Sequence, residues 1–271
     1  MRKTARIALA ALAVLVLICG SRRVAAQQQE SRLNESEVSA TPAPRPAADA
    51  PLPTATALLM KNDQATGGAE AWNRSTSRKM KGVYQTEDNS MFLAIEILQK
   101  APNKSLSKIT LPNGVTVRDV CDGKNAWVET SMGGYQSYTG AALAAKLRAA
   151  DFQDRARLEK AASTGKVIGT EQIGAHSTYV LEYSAEKGLA SRVYFDADSG
   201  LIVRTVDVFT SPEGPYTLRL DMDDYREVDG LKFPFRIKRT EKGAVLNIRL
   251  TQVTVNPPLD DTLFLKPEFA K

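Results

Sequence analysis

The sequence predicts an α+β, mainly β fold: a strongly curved antiparallel sheet of roughly ten or eleven strands, with helices laid over its concave apolar face. Three observations predict it. Tyr216–Met222, Leu231–Lys238 and Val245–Leu250 each alternate apolar and polar residues, so each strand has one greasy and one wet face. The connections after Asp196 are short and each carries glycine, as in Asp198-Ser-Gly200, Asp229-Gly230 and Lys242-Gly243, so strands adjacent in the chain should be adjacent in the sheet. Only two other segments carry a helical apolar stripe.

Taken in order, Arg2, Lys3 and Arg6 precede the apolar run Ile7–Ile18, and Val24-Ala25-Ala26 supplies small residues before Gln27. The run is shorter than the roughly 20 residues a spanning helix needs. Residues 1–26 are therefore expected to be a secretory signal peptide, with an uncleaved anchor as the alternative. Cys19 is preceded by Leu17 and Ile18 rather than a small residue, which makes it a poor site for lipidation. Residues 27–53, rich in Ala, Pro, Ser and Glu and without an aromatic, are expected to be a disordered tether. Residues 54–271 then form one domain.

Thr54–Ser77 reads as a helix capped by Thr54 or Thr56 and interrupted at Gly67-Gly68, with Trp72 packing onto the sheet. From Arg78 the period becomes two: Met80–Gln85, then Met91, Leu93, Ile95 and Ile97 beyond a hairpin at Glu87–Ser90. Phe92, Ala94 and Leu98 make the second face of that strand partly apolar too. Ser105–Leu111 and Val115–Cys121 pair across Pro112-Asn113-Gly114, and Asn125–Thr130 follows Asp122-Gly123. Thr139–Ala162 is helical, bent near Asp151, with Leu143, Leu147 and Ala150 on one face and Phe152 and Leu158 continuing it. Strands follow at Lys166–Gln172, Ser177–Tyr183, Arg192–Asp196, Leu201–Phe209, Tyr216–Arg226, Leu231–Thr240 and Val245–Val255, and Asp260–Phe264 is one helical turn.

A long open antiparallel sheet coils toward a barrel because its strands twist. Its inward Leu, Ile, Phe and Met side chains, each worth about 1.5–3 kcal/mol on burial, exceed what two light helices can shield. The expectation is a leftover apolar cavity lined by Leu93, Ile95, Leu143, Leu147, Leu218, Leu220, Phe233, Phe235, Ile237, Leu246 and Ile248. A fully packed interior is the alternative.

Charge and reactive residues exclude several classes. The chain's net charge is +5, and residues 1–26 carry five cations and no acid, so the remainder is balanced and offers no basic footprint for nucleic acid. His176 is the only histidine and sits in a turn, so no histidine-based nucleophile activation or zinc site is expected. Asp223-Asp224 are adjacent strand residues and should face opposite ways. Asp196, Asp198 and Ser199 are explained by a hairpin rather than a calcium loop. Cys121, beside a turn, is expected to be a buried, inert thiol. Neither an enzyme nor a cofactor is expected, and the chain should be a monomer.

At Ala69-Glu-Ala-Trp72, Lys100-Ala-Pro-Asn-Lys104, Asp122-Gly-Lys-Asn-Ala-Trp127, Tyr194-Phe-Asp-Ala-Asp-Ser-Gly-Leu201 and Tyr225-Arg-Glu-Val-Asp-Gly-Leu-Lys-Phe-Pro234 the chain resembles the outer-membrane lipoprotein-sorting (LolA-like) family of exported bacterial proteins, which broadly includes LolB, LppX and RseB. The resemblance covers about residues 54–266 and rests mostly on turns. It implies an incomplete β-barrel of about eleven strands closed by helices over an apolar cavity. It implies a periplasmic carrier of acyl chains or a lipoprotein, held without covalent chemistry, or an envelope protein-interaction or stress-sensing module of the RseB kind. In the family's carrier an arginine near the N-terminal strands holds the lid by hydrogen bonds; Arg78 lies in roughly that region, and no motif here assigns it the role.

Overall fold

The computed structural model describes residues 51–88, 90–184, 190–211 and 214–266. The expected targeting segment, Cys19 and most of the tether lie outside them. Two short helices, α1 (Ala55–Ala65) and α2 (Gly68–Arg74), lead into strands β1 (Ser77–Thr86), β2 (Phe92–Lys100), β3 (Lys104–Thr110), β4 (Thr116–Cys121), β5 (Ala126–Thr130) and β6 (Tyr135–Ser137). Helices α3 (Gly140–Ala149) and α4 (Arg155–Thr164) interrupt the sheet. It resumes as β7 (Lys166–Ile173), β8 (His176–Ser184), β9 (Ala190–Asp196), β10 (Ile202–Ser211), β11 (Gly214–Val228), β12 (Leu231–Glu241) and β13 (Ala244–Val255), and a 3₁₀ turn, Asp261–Phe264, follows.

All thirteen strands form one antiparallel sheet in the order β6-β5-β4-β3-β2-β1-β13-β12-β11-β10-β9-β8-β7. The expected count of about eleven was too low. One strand beyond the ranges read from sequence is β6, whose three residues Tyr135, Gln136 and Ser137 are all exposed and so have no apolar alternation to detect. Every neighbour pair except β1–β13 is consecutive in the chain, as short turns require. Asp229-Gly230 and Lys242-Gly243 both take positive φ at their two residues (52° and 78°, 48° and 79°), the turn whose twist matches that of its flanking strands. The pairing of β1 with β13 joins the two ends of the meander, and the helical excursion α3–α4 lies between β6 and β7, the edge strands of the sheet among the described residues.

The helices form where the sequence placed them. Thr54 caps α1 by accepting from the Ala57 amide at 3.1 Å, and Gly67, at φ 125°, breaks the chain before α2. A side chain at Gly67 would meet the Gly230 carbonyl oxygen at 2.3 Å, so the helix break lies directly against the β11–β12 turn. Trp72 meets Phe233 edge to face at 5.8 Å.

The sheet is apolar on both faces in its first half. On the outer face Leu98, Leu106, Val120 and Trp127 are buried, and Phe264 from the 3₁₀ turn covers them at 1% exposure. On the inner face Leu58 of α1 and Ala161 of α4 pack on Leu181, Tyr183, Val193 and Phe195. Leu231, Phe233, Phe235, Leu250 and Val253 pack beneath Trp72.

β1 and β13 approach closely where the register shifts between Lys81 and Gly82. A Cβ on Gly82 would lie 2.2 Å from the Arg249 carbonyl oxygen and 2.9 Å from the Leu250 Cα, both of them backbone. Gly82→Ala is therefore expected to cost about 1–3 kcal/mol, the usual range for overpacking a buried site. Urea unfolding measures it, and an unchanged midpoint would contradict the close approach.

Candidate functional site

Register places the inner face in rows. One row runs Met222, Ile237, Ile248, Tyr84, Leu93 across β11, β12, β13, β1 and β2. Another runs Val167, Leu181, Val193, Thr205, Leu220, Arg239, Leu246, Thr86. The residues expected to line a cavity divide into groups. Leu93, Ile95 and Leu246 are buried on the inner face. Phe233 and Phe235 belong to the cluster filled by Trp72 and Leu231. Leu143 and Leu147, on α3, pack against Cys121, Ala126 and Ala150. Leu218, Leu220, Ile237 and Ile248 stand half-buried on β11, β12 and β13, where none of the buried clusters beneath α1, α2, α3 or α4 covers Leu218, Leu220 or Ile237. The inner face is an apolar trough whose middle strands are only partly covered.

The trough also carries polar groups that apolar alternation did not reveal. Arg239 and Glu241 pair with each other on the same face as Ile237, and Glu241 is 8% exposed. Burial pushes the Tyr84 phenol above its ordinary value; nearby Arg239 and a hydrogen bond with Ser107 oppose the rise, and Asp119 adds to it.

Helices α3 and α4 and the elbow between them form a lid. Lys146 of α3 pairs with Asp119 of β4, which also accepts from the Tyr138 hydroxyl at 3.1 Å. At the elbow Phe152 is 2% exposed, and its amide donates to the Pro102 carbonyl at 3.0 Å. Gln153 Nε2 donates to the Trp72 carbonyl at 3.2 Å. Arg78 of β1 fastens the elbow: its Nη2 donates to the Phe152 carbonyl, and its guanidinium lies 4.2 Å from the Phe152 ring centroid and 5.4 Å from that of Trp72. Burial lowers the Arg78 pKa to about 10, and Asp154 acts in the opposite direction. The sequence left Arg78 without an assigned role because its partner lies 74 residues away.

The reactive residues are otherwise engaged. His176 Nδ1 lies 2.9 Å from Asp196 Oδ2, a pairing across β8 and β9 that the sequence reading missed. Asp196 also accepts from the Ser199 amide at 2.7 Å and from its hydroxyl, as the hairpin reading expected. Burial tends to raise the Asp196 carboxyl, but the Ser199 and His176 hydrogen bonds outweigh it and hold the carboxyl below the usual range. Asp223 and Asp224 do not point to unrelated surroundings: Asp224 takes φ 55°, and both carboxylates reach Arg236, at 2.8 and 4.0 Å. Among the described residues no group of three or more His, Cys, Asp or Glu is placed to hold a metal, and no helix is long and apolar enough to cross a membrane.

Cys121 is 2% exposed. Burial pushes its thiol up; a hydrogen bond from the Gly123 backbone opposes the rise, Asp122 and Asp119 add to it, and Lys146 opposes it weakly. A disulfide reagent such as DTNB is expected to leave Cys121 unmodified in the folded protein and to react fully in denaturant. Rapid modification of native protein would show a more open β4–α3 contact.

No protein-family model and no curated protein matches the chain. Solved structures do match its fold. A LolA superfamily protein from Nitrosomonas europaea aligns at 17% identity with a TM-score of 0.51, over 79% of this chain and 99% of that one. A DUF1329 family protein from Desulfovibrio piger aligns at 14% identity with a TM-score of 0.53, over 78% of this chain and 95% of that one. A single curved antiparallel sheet with a helical lid across its inner face, matched over nearly the whole length of these structures, gives this chain the LolA-like fold.

Proposed function

We propose that this protein is an exported, periplasmic binding or carrier protein that holds acyl chains, of a lipid or a lipoprotein, non-covalently in the trough beneath the lid. The observation that carries the reading is the half-buried set Leu218, Leu220, Ile237 and Ile248, joined in register to buried Leu93 and Leu246. Apolar side chains left partly wet gain about 25 cal/mol for each Å² a hydrocarbon tail removes from water. The lid is suited to admitting such a tail. Its α3 helix has no fully buried residue before Ala150, and its elbow is fixed by Arg78, Pro102 and Trp72 through three hydrogen bonds. The reading assigns no covalent step to any residue.

Native mass spectrometry of detergent-free protein and titration with a fluorescent fatty acid test it. One equivalent is expected to bind, and Ile237→Asn should weaken binding about ten-fold or more, the equivalent of losing one buried aliphatic contact. Absence of saturable binding, or full affinity in Ile237→Asn, would overturn the reading.

A second reading is a protein-interaction module without a transport role. It is favoured by β6 and β7, each pairing with one neighbouring strand among the described residues, with Tyr135 41% and Ile168 48% exposed. An extended partner segment adds to such an edge. Stoichiometric capture of one envelope protein with no bound lipid would support it.

A further inference from the structure

The inner-facing positions of β12 change character along the strand. Leu231, Phe233, Phe235 and Ile237 are apolar, and Arg239 and Glu241 follow them on the same face. The trough therefore has two unlike ends. At one end Trp72 lies edge to face on Phe233, and Leu231, Phe235, Leu250 and Val253 pack around them. At the other, register sets Arg239 between Leu220 and Leu246, and Glu241 between Leu218 and Ala244. Asp207 of β10 stands on the far side of Leu218, and its carboxylate accepts from the Tyr183 hydroxyl at 2.8 Å.

These ends orient a hydrocarbon tail laid on Leu218, Leu220 and Ile237. Against the Trp72-filled end a polar head would lose its water and meet apolar side chains only, which is costly. The head therefore lies beside Arg239 and Glu241, where polar partners are within reach. The charges there are already matched. Arg239 Nη2 donates to Glu241, and among the described residues neither side chain has a second hydrogen-bond partner. The Arg239 side chain is 35% exposed against 10% for Glu241, so the guanidinium is the partner that faces an incoming group. Its remaining N–H donors suit a carbonyl or hydroxyl oxygen. A free carboxylate in the same place brings a charge with no counter-ion of its own, next to Glu241 and across Leu218 from Asp207. Arg148 and Lys242 are set over the rings of Phe209 and Tyr216, which pair two residues further along β10 and β11.

We propose that the Arg239–Glu241 pair makes the trough select acyl chains with an uncharged head, such as a glycerol ester, over free fatty acids. The proposal rests on the carrier reading and refines its cargo. A fatty acid still binds through its tail, but more weakly. Glu241 is the specificity-determining residue, because it neutralises the one cation that would otherwise pair with a ligand carboxylate.

Competition of laurate and of monolauroylglycerol against an uncharged naphthylamine dye, at neutral pH and with the full chain, tests it. The glyceride is expected to bind about ten-fold more tightly than the acid, the cost of one unmatched charge at a partly wet position. Glu241→Gln frees Arg239 and should tighten laurate about ten-fold while leaving the glyceride unchanged. Asp207→Asn keeps an acceptor for the Tyr183 hydroxyl and should shift the preference in the same direction, so the test survives if Glu241→Gln fails to fold. Glu96→Gln makes the same change of net charge on the outer face, where Glu96 pairs with Lys79 and Lys108, and should alter neither affinity. Equal binding of the two probes, an unchanged ratio in both inner-face variants, or the same shift in Glu96→Gln would overturn the selection and leave the carrier reading standing. No saturable binding of either probe would overturn the carrier reading and the selection with it.

Discussion

Arg78→Met should lift the elbow of the lid and leave the sheet folded. The variant loses a hydrogen bond from a charged donor to the Phe152 carbonyl, worth about 1.5–3 kcal/mol, together with the stack on two rings. That corresponds to roughly a ten- to hundred-fold rise in local opening. The Phe152 amide, bonded to Pro102 at 3.0 Å, is the reporter, and its hydrogen exchange should accelerate by that factor. Global stability should change much less, because the same substitution removes a buried charge. The size of that burial cost shows in the Arg78 pKa, lowered from the ordinary guanidinium value to about 10. Arg78 is a base with a depressed folded pKa and is charged in both states at neutral pH. Its penalty is therefore constant below about pH 10 and is relieved only as the pH rises from there toward the ordinary guanidinium value, where the folded state loses its proton first. Arg78→Lys should loosen the elbow equally and also destabilise the whole domain, since an ammonium is more strongly hydrated and cannot stack. Unchanged exchange at Phe152 in both variants would remove Arg78 from the role of latch.

Trp127→Ala should cost about 3–5 kcal/mol, the usual loss for a fully buried large aromatic. Trp127 is 1% exposed, packs with Leu98, Leu106, Val120 and Phe264, and donates from Nε1 to Glu129 at 3.2 Å. It lies on the outer face, opposite the trough. The loss is therefore expected in urea unfolding, with the ligand affinity of the protein that remains folded unaltered. A cost below about 1 kcal/mol would mean that the site collapses around the deletion. The 3₁₀ turn should detach in the same variant, although Arg118 still donates to the Leu263 carbonyl at 2.7 Å and Lys100 to that of Leu259 at 2.7 Å.

Local alternation together with Gly-containing turns was enough to place strands β1–β5 and β7–β13, because both signals are visible within six or seven residues. It was silent on β6, which buries nothing. It under-read the outer face of β2–β5. Leu98 was seen to break the polar pattern, but its cover, Phe264, comes from a turn beyond β13. The division of the expected lining residues was equally hidden. Phe233 and Ile237 look alike in sequence, yet Trp72 covers one and no buried cluster includes the other.

The chain alone determined the antiparallel meander, the two-helix lid and its bend, and the burial of Cys121, since each follows from neighbours a few residues apart. Only the tertiary structure decided the pairing of β1 with β13 and the latch of Arg78 on Phe152. Each of these joins groups on segments well separated in the chain, and such a contact is chosen by the packing of the whole sheet rather than by the composition of either partner.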